Sequence, residues 1–139
     1  MTVGIIELIF QLKSACLSKE EMIQEKLQLS PAELRGILAL SPGTSIPCNI
    51  LSKKMGLSVS RCSRVVEKMV KSGFLKEAKY EKDRRIMKVS LTSKGKKTRA
   101  KIQEMLGDCE RSIIRKMSKN EIEIFESSLL KISDILISI

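Results

Sequence analysis

Apolar side chains recur at Ile5, Leu8, Ile9, Leu12, Cys16 and Ile23, the 3.6-residue period of an amphipathic helix, and predict a helix over residues 5–27. Ser30-Pro31-Ala32-Glu33 reads as the start of a second helix: serine caps, proline occupies the first turn, and glutamate three residues on completes a capping box. This helix runs to about Leu40 and stops at Ser41-Pro42-Gly43. Pro47 opens a short third helix through Lys54, which Gly56 ends as a left-handed cap. Ser58 caps a fourth that lasts to Ser72 and ends at Gly73. Phe74-Leu75 and Met87-Lys88-Val89-Ser90-Leu91 then alternate as strands do, joined by the polar stretch Lys79 to Arg85, so residues 74–91 read as a β-hairpin. Thr92-Ser93 caps a long helix over residues 94–116. Ser118-Lys119-Asn120-Glu121 is a second capping box, and it starts a last helix with Ile122, Phe125, Leu129, Ile132 and Leu136 on one stripe. The order is α-α-α-α-β-β-α-α, with Ser45-Ile46 a candidate short strand and no internal repeat or low-complexity linker.

Two short helices joined through a glycine turn and followed by a hairpin form a winged helix-turn-helix, so the expected class is mainly α (α+β). With 139 residues the chain is one domain's worth. Residues 31–93 would form the winged lobe, and residues 1–30 and 94–139 would be dimerisation helices. Hydrophobic residues make up 42% but aromatic residues only 3%, so the core must be aliphatic.

Charge sharpens this picture. Residues 51–101 hold 17 Lys/Arg against 4 Asp/Glu, while the rest of the chain holds 9 against 12. The whole basic excess behind the net charge of +10 therefore sits in the central segment. Such segregation suits a polyanion-binding face flanked by neutral scaffold. On the helical wheel of residues 58–72, Val59, Cys62, Val65, Val66, Met69 and Val70 share one side, and Ser60, Arg61, Arg64, Lys68 and Lys71 the other. A major-groove helix needs this division, with its first residues near base edges and its later cations near phosphates. Ser60 and Arg61 are the base-reading candidates; Arg64, Lys68 and Lys71 are candidate phosphate contacts. At the hairpin tip, Glu81-Lys82-Asp83-Arg84-Arg85 offers cations to a narrow minor groove. Asp83 would be repelled by phosphate if left free, so its expected role is to pair with Arg85 and orient that guanidinium.

Other chemistries find little support. Histidine is absent, and Cys16, Cys48, Cys62 and Cys109 make no C-x-x-C pair, which disfavours zinc sites and imidazole-based catalysis. No glycine-rich phosphate loop is present, so an enzyme is the weakest reading, and neither metal nor cofactor is expected. Cys48, Cys62 and Cys109 read as small apolar helix residues. Cys16 is a candidate redox sensor, a role that needs an exposed, low-pKa thiolate. No segment approaches the ~18 apolar residues of a membrane span, and the start lacks the pattern of a signal peptide; a cytoplasmic location is expected.

The residues resemble the MarR family of bacterial regulators. The match runs from Leu57-Ser58-Val59-Ser60-Arg61 through Arg64-Val65-Val66-Glu67-Lys68-Met69 to Gly73-Phe74-Leu75. It continues with Asp83-Arg84-Arg85 and Leu91-Thr92-Ser93-Lys94-Gly95. The D-x-R wing followed by L-T-x-x-G is the specific part. The resemblance implies a homodimer built from the first helix and the last two, with residues 58–72 as the recognition helix. It makes Ser63-Arg64 the family's hydroxyl-arginine step, and Arg85 the minor-groove probe beside Asp83. A helix three that opens on Ile46-Pro47-Cys48-Asn49, without a polar cap, departs from the family. Many members bind aromatic effectors; here a small-molecule effector is a candidate partner with nothing to identify it.

The expected function is therefore sequence-specific control of transcription, as a repressor, by a homodimer on double-stranded DNA. Apolar positions of the first and last helices exceed what one small core needs. Leu130, Ile135, Ile137 and Ile139 fall partly off the main stripe, and a two-fold contact would bury them. The site would be a pseudo-palindrome with half-site centres ~10 bp apart. Effector or redox control is an open addition. The alternatives are an architectural nucleic-acid binder using the same face without base specificity, and a protein-interaction module.

Overall fold

The computed structural model describes residues 3–79, 82, 83 and 85–139. Among these, α1 (Ile5–Leu27) and α2 (Pro31–Ala39) lead into a short strand, β1 (Ile46–Pro47). Then come α3 (Cys48–Met55), α4 (Val59–Lys71), β2 (Leu75–Lys79), β3 (Met87–Leu91), α5 (Ser93–Lys116) and α6 (Lys119–Ser138). The expected winged helix-turn-helix is present, in the expected element order. The chain divides into two compact units, Met1–Ile102 and Gln103–Ile139.

In the first unit, local chemistry sets the helix boundaries. α1 ends where Gln28 turns left-handed at φ 55°. The Ser30 hydroxyl accepts from the Glu33 amide at 3.1 Å, and the Glu33 carboxylate accepts from the Ser30 amide at 3.0 Å, so the capping box at the head of α2 is complete. Gly56, at φ 66°, closes α3 as expected. Helix three starts one residue later than the sequence suggests, because Ile46 and Pro47 belong to a strand: Ile46 pairs with Val89 and Pro47 with Lys88. That pairing explains the missing polar cap. β1 lies at the edge of a three-stranded antiparallel sheet of order β1-β3-β2, where a proline without an N–H is tolerated.

The core of this unit is aliphatic. Ile37, Leu40, Leu51, Met69 and Ile102 are all fully buried. Gly36 lets α2 approach α4 closely, since a Cβ there would lie 2.8 Å from the Met69 Sδ. The core stripe of α4 is narrower than the wheel suggests. Cys62, Val66 and Met69 are buried, whereas Val59 is 55% exposed and Val70 37%. Val59 and Val70 fall on the same flank of the helix, beyond the arc that the core covers.

One junction joins α4, the wing and α5. Gly73, at φ 85°, turns the chain out of α4, and β2 and β3 pair from Leu75↔Leu91 to Lys79↔Met87. Thr92 caps α5, its hydroxyl accepting from the Gly95 amide at 3.0 Å. The same hydroxyl donates to the Gly73 carbonyl, with the Phe74 carbonyl 3.1 Å away. Lys94 Nζ donates to the Ser72 carbonyl at 2.7 Å and sits 4.6 Å from the centre of the Phe74 ring. Gly95 is buried against Phe74, and a Cβ there would overlap the Phe74 carbonyl oxygen.

In the second unit, the Ser118–Glu121 capping box forms at the head of α6, with bonds of 3.1 and 2.9 Å. No residue of α6 is buried. Phe125, Leu129 and Leu136 of the expected stripe are exposed, as are the off-stripe Leu130, Ile135, Ile137 and Ile139. Among the described residues, no helix is long and apolar enough to cross a membrane.

Because the Gly95 overlap involves backbone that cannot swing aside, Gly95→Ala should destabilise the fold by ~1–3 kcal/mol. Urea unfolding followed by circular dichroism measures this. Wild-type stability in the variant would show that α5 does not seat on Phe74.

Candidate nucleic-acid interface

α4 is positioned by its own cap. The Ser58 hydroxyl accepts from the Arg61 amide at 3.2 Å and lies 3.4 Å from the Ser60 hydroxyl. Ser58 thus serves the helix first, and its remaining hydrogen-bonding capacity faces solvent. Ser60, Arg61, Ser63, Arg64, Lys68 and Lys71 are all exposed along the helix. Ser63 sits on the flank, its hydroxyl 3.9 Å from the Cys48 sulfur, and the others occupy the arc opposite Cys62, Val66 and Met69, so the sequence's division into apolar and basic sides holds at its centre. Arg61, Arg64 and Lys68 also line a shallow cleft of about 480 Å³, whose other walls include Pro31, Met55 and Leu57.

Glu67 was missing from the sequence account of this face. It is exposed on the same arc, and its carboxylate lies 3.9 Å from Lys71 Nζ. The i,i+4 spacing that signals such a pair is visible in the sequence. The contact is loose, with both side chains exposed, so Lys71 stays available beside Arg61, Arg64 and Lys68, and Glu67 offsets one of the four positive charges of the arc. Lys94 was also missed; its link to Ser72 crosses 22 positions and leaves no local signal.

In the wing, the Asp83 carboxylate accepts from the Arg85 amide at 3.0 Å, from its Nε at 3.2 Å and from its Nη2 at 3.4 Å. The Ile86 amide closes the turn on the Asp83 carbonyl at 3.0 Å. Arg85 remains 91% exposed in its side chain, so its guanidinium is oriented without being covered. Lys82 is exposed beside it. Arg84 lies outside the described residues. The Arg85 side chain, followed by its backbone amide, holds the Asp83 carboxyl below its ordinary 3.8.

The cysteines are free. Cys16 is exposed on α1, Cys109 is half-buried on α5, and Cys48 and Cys62 meet between α3 and α4 with their sulfurs 3.6 Å apart.

Residues 53–95, from the end of α3 through the wing to the start of α5, match the family described as winged helix DNA-binding domain. Over 72 residues the chain is 32% identical to an uncharacterized HTH-type transcriptional regulator, YfiV, of Bacillus subtilis (strain 168). That match covers 52% of this chain and 45% of the relative, so the chain spans less than half the length of that protein. Among solved structures, it is similar to Streptococcus pneumoniae FabT in complex with DNA, with a TM-score of 0.88, 20% identity and 96% of each chain covered. It is similar also to wild-type MarR in its apo form from E. coli, with a TM-score of 0.77, 16% identity, and 95% of this chain and 98% of that one covered. NadR in complex with 4-hydroxyphenylacetate gives a TM-score of 0.74 at 16% identity, over 96% of this chain and 95% of that one. The fold is that of the MarR-type winged helix.

A carboxyl held below its ordinary value is stabilised in its ionised form, so the Asp83–Arg85 pair contributes fully above 3.8 and is lost as pH falls through the lower, folded value. Carboxyl NMR titration should show Asp83 protonating below 3.8, with Arg85→Ala moving it back up. An Asp83 that titrates as an ordinary aspartate in the wild-type chain would mean that the wing pair does not persist in solution.

Proposed function

We propose that this chain is a sequence-reading transcriptional regulator that acts in the cytoplasm as a homodimer, as a repressor, on a pseudo-palindromic DNA site. The observation that carries this reading is the exposed cationic arc of α4 beside a wing whose Arg85 is held outward by Asp83. Ser60 and Arg61, in the first turn of α4, would face base edges, where arginine pairs bidentately with guanine. Ser58 and Ser63 would flank them, Arg64, Lys68 and Lys71 would meet phosphates, and Arg85 with Lys82 and Arg84 would enter the minor groove. Residues 31–93 would be the DNA-binding lobe.

Glu67 weighs against an architectural, sequence-blind binder. A carboxylate on the facing arc opposes general attraction to phosphate, yet it can accept from a cytosine amino group. The dimer is supported within each unit separately. α1 exposes Ile5, Leu8 and Leu12 along one side, and α6 exposes the apolar residues named above. Contiguous apolar surface of this kind is usually covered by a partner, and residues 1–30 and 94–139 would supply that contact. A small anionic effector in the cleft beside α4 would occupy Arg61 and Arg64 and so compete with DNA.

Selection from random duplex DNA at two salt concentrations tests the reading. A two-fold symmetric motif, preferred by ~10³ or more over random sequence, is expected; salt-sensitive binding with no motif would make the protein architectural. On the selected site, Arg61→Ala should cost ~1–3 kcal/mol and relax one base position. Arg85→Ala should weaken binding with fold and dimer intact. Unchanged affinity in Arg85→Ala would remove the wing from the interface.

A further inference from the structure

The helix-turn-helix brings two thiols into contact, and nothing in the reading of DNA uses them. Cys48 is the first residue of α3 and is half-buried; Cys62 closes the first turn of α4 and is fully buried. Their sulfurs lie 3.6 Å apart, with the Cys48 carbonyl oxygen 3.8 Å from the Cys62 sulfur and the Ser63 hydroxyl 3.9 Å from the Cys48 sulfur. A disulfide requires ~2.05 Å, so closing this pair takes an approach of only ~1.5 Å, shared between two short helices. On the core side of α4, Val66 and Met69 are buried beside Cys62, so drawing its sulfur toward Cys48 disturbs packed neighbours and strains the helix that carries it. Cys62 stands between Arg61 and Ser63, and a shift at this point is a shift of the base-reading turn.

We propose that Cys48 and Cys62 form a redox-closable dithiol, oxidised by hydrogen peroxide to an intramolecular disulfide that loosens DNA by displacing the start of α4. The proposal rests on the DNA-reading role given above to α4. Accessibility divides the roles. Cys48 is the thiol a peroxide can reach. Burial, reinforced by the neighbouring Cys48, pushes the Cys62 thiol up to about 12, so Cys62 does not initiate; it gives up its proton as it attacks the oxidised Cys48 sulfur. The Cys48 thiolate attacks one peroxide oxygen, the O–O bond breaks, and the other oxygen leaves as hydroxide and takes up a proton to become water. The Cys62 sulfur then displaces hydroxide from the Cys48 sulfenic acid, and the Cys62 proton leaves with it as a second water. Two electrons pass from the two thiols to the peroxide. Exchange with a cellular dithiol reverses the bond.

The test treats the full chain with hydrogen peroxide and digests it with trypsin without reductant. The expected product joins the peptides of residues 36–53 and 62–64, less two hydrogens. Affinity for the selected duplex should fall by about tenfold, equivalent to one lost base contact, and return with dithiothreitol. Cys48→Ser should bind as the reduced wild type does and ignore peroxide. The proposal is overturned if no such cross-link forms, if oxidation appears only at Cys16 or Cys109, or if the cross-linked chain binds DNA undiminished. Failure of the reduced chain to bind DNA would sink the DNA-reading role instead, and the mass spectrum would still decide whether the dithiol closes.

Discussion

The hydroxyl of Thr92 is the point on which the recognition surface depends. A helix ends with carbonyls that have no partner within it, and α4 ends where the wing begins. The Gly73 carbonyl accepts from Thr92, the Ser72 carbonyl from Lys94, and the Thr92 amide donates to the Phe74 carbonyl at 3.0 Å. The carbonyls that leave α4 are thus satisfied by the residues that begin α5. Gly95 makes this possible, since any larger residue would hold α5 away from Phe74. One side chain therefore caps α5, closes the base of the wing and fixes the exit of α4. The Leu75–Leu91 pairing begins the wing directly above this junction.

This junction also gives a physical content to the L-T-x-x-G pattern in the sequence. Threonine is needed for a hydroxyl that both accepts and donates, and glycine for the close approach; the two positions between them face other demands. Lys94, one of those two, adds a cation at the C-terminal end of α4, where the helix dipole favours it. The wing's strands are short, five residues each, and a hairpin of that length is marginal alone. Its stability comes from β1 on one side and from Phe74, Leu75, Val89 and Leu91 buried beneath it.

What was legible in the sequence was local. Capping boxes at Ser30 and Ser118, the glycine cap at Gly56 and the Asp83–Arg85 pair each span three residues or fewer beyond their first, and each formed as expected. The wheel of α4 holds for Cys62, Val66 and Met69 and fails on one flank of the apolar arc. Periodicity reports which residues share a side, but not how wide an arc the core covers, and Val59 and Val70 lie just outside that arc. Pro47 was read as a helix start because its partner, Lys88, lies 41 positions away. Cys48 and Cys62 read as unrelated apolar residues for the same reason: nothing at a separation of 14 positions announces a contact.

The two halves of the interface use carboxylates in opposite ways, and the difference follows from geometry. Asp83 binds Arg85 through its amide and two guanidinium nitrogens, so the arginine is already oriented and would lose little conformational freedom on binding a partner. Glu67 touches Lys71 at 3.9 Å, with both side chains over 70% exposed, a contact that water and salt readily replace. Lysine is a point charge on a flexible stem, suited to finding a phosphate wherever the backbone lies. Arginine in a fixed fork is suited to one geometry. On the proposed reading, a preset arginine in the wing and an adaptable lysine at the helix end would divide the work: Arg85 would test the width of a minor groove, while Lys71 would exchange Glu67 for the nearest phosphate once the first turn of α4 had found its bases.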